Sequence, residues 1–120
     1  MKYTLKAEEL LMFAGSLYGV TLLDLSLPWW LYLLLFFAPD LGMIGYVVNT
    51  KIGALTYNLL HHKGIAAALT MAGLFSGNAY LTLAGLIMFG HSSFDRILGY
   101  GLKFPDSFGH THLGQIGSNK

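Results

Sequence analysis

The sequence contains no cysteine, which excludes a disulfide framework, a thiolate metal site and a cysteine nucleophile. Charged residues are scarce as well: they make up 11% of the 120 residues, and the formal net charge is +1. Because there is no basic run to neutralise phosphates, we do not expect nucleic-acid binding. The HExxH, GxSxG, Walker A and dinucleotide-binding motifs are also missing, so no standard cofactor-binding motif is present.

Apolar residues, by contrast, are abundant. The chain is 54% hydrophobic and its mean hydropathy is +0.55. A soluble chain of this size needs more polar surface to cover its core, so we predict an integral membrane protein. The alternative is a soluble helical bundle that buries its apolar helices in an oligomer. The N-terminus is interpreted as a retained first helix, since Glu8 and Glu9 interrupt the start of a possible signal peptide.

Four apolar segments predict an all-α fold, a four-helix transmembrane bundle with antiparallel neighbours. They cover about residues 8–23, 29–48, 53–75 and 79–102. Trp29 and Trp30 suit a membrane–water interface, and Pro39 predicts a kink in the second helix. We divide the chain into a transmembrane domain, residues 1–103, and a short non-helical C-terminal tail, residues 104–120.

The distribution of positive charge predicts the orientation of the bundle. Lysines lie in the N-terminus, the middle loop and the tail, whereas the two opposite loops contain Asp24 and neither Lys nor Arg. The positive-inside rule therefore places both termini in the cytoplasm, in a multi-pass protein of the cell membrane. The expected partner is the lipid bilayer, and a homo-oligomer is plausible because four short helices leave much apolar surface.

Polar residues inside the apolar segments are the main functional signal. Asp40, His61, His91 and Asp95 each lie roughly 12 to 18 Å from the cytoplasmic ends of their predicted helices, counted at the helical rise. Such groups are costly in hydrocarbon and usually mark a site. Imidazole and carboxylate ligands suit zinc, iron or manganese, so we predict these four residues as candidate ligands of a divalent metal. The catalytic residues, if any, are not identified by the sequence.

Several residues are assigned accessory roles around this candidate site, and other interpretations remain open. The accessory residues are Asn58, Arg96, Tyr100, His110 and His112. Without a metal, His91 and Asp95 form a structural pair at i and i+4, and Asp40 caps the helix beyond Pro39. Lys63 pairs with one of the two aspartates or extends to the interface, and whether Lys63 and His62 belong to the site stays open.

Three classes of function fit this pattern. The first is a metal-dependent membrane enzyme that acts on a lipid-like substrate, with a metal-bound water as nucleophile. The second is a small oligomeric transporter or proton-relay protein, because histidine titrates near neutral pH. The third is an accessory membrane subunit whose polar core only specifies packing.

Three segments of the chain also resemble one family. They are residues 38–46 (APDLGMIGY), 57–61 (YNLLH) and 91–103 (HSSFDRILGYGLK), and residues 112–114 (HLG) with Ile116 and Gly117 fit the same pattern. In order and spacing they are similar to the small bacterial integral membrane proteins grouped as domain of unknown function 4260. The resemblance implies a multi-helix protein of the bacterial inner membrane. It implies no activity.

Overall fold

The computed structural model describes residues 1–116, and this part of the chain is mainly helical. Residues 117–120 of the predicted tail lie outside the described residues. The elements in chain order are α1 (Lys2–Thr21), α2 (Trp29–Phe37), a 3-10 segment (Ala38–Val47), α3 (Thr50–Leu60), α4 (Lys63–Ser76), α5 (Ala79–Leu98), β1 (His110–Thr111) and β2 (Gly114–Gln115). The all-helical class is confirmed, and the only strands in the described part form the small hairpin of β1 and β2.

The third predicted helix is in fact two helices. At His61 the backbone leaves the helical region (φ −115°, ψ 11°), and His62 is extended (φ −88°, ψ 114°). The His62 side chain then accepts a hydrogen bond from the Ile65 N–H at 3.1 Å, which caps the start of α4. The prediction of one continuous helix over residues 53–75 was therefore wrong. The capping role of His62 was not recognised, because the residues on both sides of the break are mainly apolar.

The second predicted helix changes type at Pro39. Residues 29–37 form an α-helix, whereas residues 38–47 form a 3-10 segment with the proline in its first turn. Proline has no N–H, so it leaves a carbonyl of the preceding turn without its helical donor. The helix thus changes type at this position, and the expected kink stays a prediction.

Helix α5 is the centre of the molecule. Both α1 and α4 pack on it, and α3 packs on the 3-10 segment. Gly85 of α5 contacts Thr70 of α4, and Gly90 of α5 contacts Ser16 of α1, at distances that leave no room for a Cβ. Small residues at these positions let the helix backbones approach closely, as in helix pairs packed within lipid.

Burial in this structure is reversed relative to a soluble protein. The buried residues with polar side chains are Ser16, His61, Thr82, His91, Ser92, Ser93, Asp95, Lys103 and Thr111. The buried hydrophobic residues are Ala54, Tyr57, Ala66, Leu83 and Met88, whereas large apolar side chains such as Trp29, Leu41, Val47, Leu74 and Phe75 are more than half exposed. An apolar exterior of this extent is expected for a surface that contacts lipid or a partner.

One helical stretch within residues 1–116, Trp29–Val47, is long and apolar enough to cross a membrane. The prediction of four spanning helices is therefore not confirmed. Helix α1 contains Lys2, Lys6, Glu8 and Glu9, α5 is rich in glycine and polar residues, and the break at His61 shortens the third segment to two pieces.

The tail folds back on the helices. The Asn58 side chain of α3 accepts a hydrogen bond from the Lys103 N–H at 2.6 Å and donates one to the Lys103 carbonyl at 2.8 Å. Lys103 also forms a β-bridge with Thr111. Leu102 and His112 exchange two hydrogen bonds: the Leu102 N–H donates to His112 Nδ1 at 2.8 Å, and the His112 N–H donates to the Leu102 carbonyl at 3.0 Å. The segment after α5 thus lies across the end of α3. We call residues 100–116 the strap.

Acid is expected to loosen this strap through His112. Burial, with a contribution from the positive charge of Arg96, holds the pKa of His112 below its ordinary value of 6.5. The unfolded strap then binds a proton more readily than the folded one, so the strap loses stability as the pH falls through 6.5. The protection factors of residues 100–116, which correct the hydrogen-exchange rates for the intrinsic rate at each pH, should fall between pH 8 and pH 5 in the wild type.

Two variants separate this effect from general acid sensitivity. His112→Gln keeps an acceptor for the Leu102 N–H but does not titrate, so its protection factors should change much less with pH. His110→Gln is the matched control, because His110 bonds the exposed Asp106 and lowers the pKa of that carboxyl. An unchanged acid response in His112→Gln would show that another group is responsible.

Candidate metal centre

Three parts of the chain bring two histidines and two aspartates together. Asp40 lies in the first turn of the 3-10 segment, His61 follows the last residue of α3, and His91 and Asp95 lie one turn apart on α5. One nitrogen or oxygen atom from each residue lies within 4.8 Å of the other three. We call this group the His–Asp cluster. These are the four residues predicted from the sequence as candidate ligands.

The cluster atoms alternate around a ring. His61 Nε2 lies 3.5 Å from Asp40 Oδ1 and 3.2 Å from Asp95 Oδ2. His91 Nε2 lies 3.1 Å from Asp40 Oδ1 and 3.6 Å from Asp95 Oδ2. Tetrahedral ligands with bonds of about 2.0 Å to a zinc ion are separated by about 3.3 Å. The four histidine–aspartate distances therefore lie near the ligand separation around one small divalent cation, whereas the four atoms together lie within 4.8 Å of one another.

Pro39 helps to determine which nitrogen of His91 faces the cluster. In a 3-10 turn the Phe36 carbonyl would accept a hydrogen bond from the N–H of residue 39, and proline has none. His91 Nδ1 lies 2.7 Å from that carbonyl. A carbonyl can only accept, so Nδ1 carries the proton, and Nε2 of the neutral ring has the free lone pair. The lone pair faces Asp40.

A backbone carbonyl orients His61 in the same way. His61 Nδ1 lies 2.9 Å from the carbonyl of Tyr57, one turn earlier on α3, and the two rings stack with centroids 3.8 Å apart. Here too Nδ1 is the donor and Nε2 is left as an acceptor. His61 Nε2 is buried, and it has no hydrogen-bond partner among residues 1–116 although both carboxylates are near.

The cluster is consequently a set of acceptors that face one another. Two imidazole nitrogens and two carboxylate oxygens require either a cation or added protons between them, since acceptors alone repel at these distances. The histidine side chains are 3% and 1% exposed and that of Asp95 is 13% exposed, whereas that of Asp40 is 40% exposed. The cluster is closed on the α5 side and open beside Asp40.

A search with protein-family models identifies the chain. The model described as Domain of unknown function (DUF4260) matches residues 2–116. The chain belongs to this family. The match includes all four cluster residues and confirms the resemblance drawn from the sequence motifs. No curated protein and no solved structure matches the chain.

The accessory residues of this DUF4260 protein lie around the cluster or away from it. Arg96 donates a hydrogen bond to the His61 carbonyl at 3.1 Å and so supports the break after α3. Asn58 holds the backbone of the strap, and Tyr100 is exposed beyond the end of α5. His110 bonds Asp106, and His112 bonds Leu102. The structure thus brings none of these side chains into the His–Asp cluster.

The geometry bears on two interpretations of these residues that need no metal, the pairing of His91 with Asp95 and the pairing of Lys63 with an aspartate. His91 lies closer to Asp40 (3.1 Å) than to Asp95 (3.6 Å), so the cluster is not an isolated pair on α5. Lys63 forms an ion pair with Glu9 of α1, and not with Asp40 or Asp95. Metal binding by the four residues stays a prediction.

Tyr57 is a residue of the site that the sequence analysis missed. Its hydroxyl donates a hydrogen bond to Asp95 Oδ2 at 3.1 Å, and its ring stacks on His61. The Lys103 ammonium of the strap lies 4.7 Å from the centre of the same ring and 3.8 Å from that of Phe108. The spacing of Tyr57 and His61 at i and i+4 was the available signal. It was hidden because a tyrosine in an apolar helix is usually a packing residue.

Removing the Tyr57 hydroxyl is expected to weaken metal binding. A hydrogen bond to a ligating carboxylate fixes its orientation, and the loss of such a partner typically lowers metal affinity about 10- to 100-fold. Titration of Tyr57→Phe with Zn²⁺ against a competing chelator should show this loss. Tyr46→Phe is the matched control, since the Tyr46 hydroxyl is buried without a hydrogen-bond partner among the described residues. Equal affinities in the two variants would contradict the role given to Tyr57.

Proposed function

We propose that this DUF4260 protein is an integral membrane protein that holds a divalent metal ion in its His–Asp cluster and acts on a lipid-like substrate. The observation that carries the proposal is that one nitrogen or oxygen atom from each of the four residues lies within 4.8 Å of the others, and that His61 Nε2 among them has no hydrogen-bond partner within residues 1–116. Because backbone carbonyls fix both imidazoles with Nε2 toward the ring, the ligands are already oriented for a metal. Zinc, iron and manganese all accept this set of nitrogen and oxygen ligands.

The distribution of apolar surface supports a position in the membrane. Buried polar side chains and an exposed apolar exterior are what a bilayer favours, because polar groups in hydrocarbon turn inward. At the helical rise, the 20 residues of α1 and of α5 each extend about 30 Å, the thickness of a bilayer core. We therefore propose that more helices than the one apolar stretch at Trp29–Val47 lie in the bilayer.

The packing of the helices supports both termini at the cytoplasmic face. Gly19 meets Leu86 and Ser16 meets Gly90, so α1 runs antiparallel to α5, and α4 does the same by the contacts of Gly73 with Thr82. The loops at residues 22–28 and 77–78 then share one end of the bundle. That end contains Asp24 and no lysine or arginine, whereas Lys2, Lys6 and Lys103 belong to the other end.

A metal ion at the cluster would supply Lewis acidity on the open side beside Asp40. There it would activate a water molecule for attack on an ester or phosphoester of the substrate. The water oxygen would bond to the carbonyl carbon or phosphorus, the bond to the leaving oxygen would break, and the leaving oxygen would take up the proton that the water releases. We propose this reaction class because the cluster joins a Lewis-acid site to an opening within an apolar surface.

Metal analysis of the detergent-purified protein tests the proposal. The wild type is expected to contain stoichiometric zinc, iron or manganese, and Asp95→Asn is expected to lose it. Asp106→Asn is the matched control, because Asp106 is an exposed aspartate of the strap that bonds only His110 among the side chains described. A wild type that neither retains nor takes up a divalent metal would overturn the metal site.

A proton relay is the second candidate, favoured by one distance. His91 Nε2 and Asp40 Oδ1 lie 3.1 Å apart, close enough to share a proton when the imidazole is charged. If the protein binds no metal but carries a pH-driven proton flux in liposomes that Asp95→Asn abolishes, the relay is the function. If neither metal nor flux is found, the cluster only specifies packing, as in an accessory subunit.

A further inference from the structure

An apolar groove lies between α2, α4 and α5, and its lining includes the residues that directly precede Asp40 and His61. Its volume is about 470 Å³, and most of its lining is aliphatic, including Leu31, Leu35, Leu69, Ile87 and Met88. Among the residues that line it, the one with a polar side chain is Tyr80, at the end away from the cluster. The groove thus offers a ligand almost no hydrogen bonding along its length.

Three neighbours connect this groove to the cluster. Pro39 and Leu60 both line it, and each directly precedes a cluster residue, Asp40 and His61. Met88 lies three residues before His91 and therefore on the same face of α5. Asp40 is the most exposed member of the cluster, with 40% of its side chain accessible. The groove therefore adjoins the cluster at Pro39 and Leu60.

The aliphatic lining of the groove favours an alkyl chain as its occupant. On α5 the lining residues run from Tyr80 to Met88, which is about 12 Å at the helical rise. A single extended alkyl chain needs no hydrogen-bond partner along this length, so it suits a groove whose lining offers almost none.

We propose that this groove binds the alkyl chain of a single-chain amphiphile whose polar end lies at the His–Asp cluster. The inference rests on the proposed function, since it names the class of substrate for the same site. The ester or phosphoester at the polar end would lie beside Asp40, and a fatty acid, which is the product of ester hydrolysis, would bind in the same orientation. The chain would be held by burial of its apolar surface against α2, α4 and α5.

Photo-crosslinking tests the groove independently of the metal. The probe is a palmitic acid analogue with a diazirine on its chain, added to the full-length protein in nanodiscs, and cross-linked peptides are mapped by mass spectrometry. In the wild type, saturable labelling of Leu69, Ile87 and Met88 is expected, with competition by unlabelled palmitic acid. Ala84→Phe places a large ring in the groove and should lower this labelling at least tenfold.

Ala72→Phe provides the matched control, since Ala72 is an exposed alanine of α4 that does not line the groove. It should leave the labelling unchanged. If Ala84→Phe does not fold, Ala84→Leu introduces less bulk at the same position and should lower labelling in proportion. Labelling that cannot be competed and is spread equally over outward residues such as Phe75 would overturn the proposal.

Metal content, measured on the same samples, keeps the two proposals distinguishable. Competed groove labelling together with bound metal supports both. Competed labelling without any metal would support the amphiphile site and overturn the metal centre. Bound metal with no competed labelling would overturn the groove proposal and leave the metal centre in place.

Discussion

His61→Gln is expected to lower the affinity of the protein for Zn²⁺ at least about 100-fold. The substitution removes one of four atoms that converge on a single point, and the loss of a residue that only supports a ligand already costs about 10- to 100-fold. It also removes an imidazole whose tautomer is fixed by the Tyr57 carbonyl. Competition titration against a chelator of known affinity measures the effect.

The neighbouring histidine supplies the control. His62 is exposed and caps α4 through its Nδ1, so His62→Gln changes the same residue type one position away. Its affinity for Zn²⁺ should stay within a fewfold of the wild type, with at most a modest loss of stability from the weakened cap. Equal losses of affinity in the two variants would show that the metal does not bind where the cluster lies.

Lys63→Met is expected to destabilise the protein by about 3 to 5 kcal/mol. Lys63 and Glu9 form an ion pair between α4 and α1, and their side chains are only 18% and 15% exposed. The ammonium also contacts the Met12 sulfur at 3.1 Å and lies 5.7 Å from the centre of the Phe89 ring. Removing the lysine leaves the Glu9 carboxylate largely buried and without a compensating charge. This costs more stability than replacing both partners does.

The free energy of unfolding in detergent, from denaturant titrations, measures this loss. Removing both charges, in Glu9→Gln with Lys63→Met, should recover most of the stability because no unpaired charge is left. Lys51→Met is the control at an exposed lysine of α3 and should change the stability by about 0.5 kcal/mol or less. A double variant as unstable as Lys63→Met would contradict the account.

The four cluster residues were predictable from the sequence because each is a costly group in an apolar segment. Asp40, His61, His91 and Asp95 stand out for that reason alone, and the structure places them together. The estimate of their depth, however, assumed straight helices. In the structure α3 ends before His61, and the 3-10 segment rises about 2.0 Å per residue, so residue counts do not measure depth there.

Other contacts depended on geometry that single-sequence patterns do not contain. The first helix was predicted to start near Glu8, but α1 begins at Lys2, which places Glu9 well inside the helix and opposite Lys63. Asn58 shares a helix face with His61, yet its amide pairs with the backbone of Lys103, 45 residues later. These hydrogen bonds use the backbone N–H and carbonyl of Lys103, which almost every residue type has. The residue type of the partner therefore gives no sign of the pairing.

The two hydrogen bonds between Asn58 and Lys103 also determine when the surroundings of the His–Asp cluster can be completed during synthesis. Lys103 is made after all four cluster residues, its ammonium lies over the Tyr57 ring, and its backbone is bonded to Asn58. While the ribosome still covers the C-terminal residues, α3 lacks this partner, although all four cluster residues have already been made. The order of synthesis therefore makes the strap the last part to join the cluster. A chain that ended before residue 103 would have all four candidate ligands but would lack the hydrogen bonds that Lys103 makes to α3.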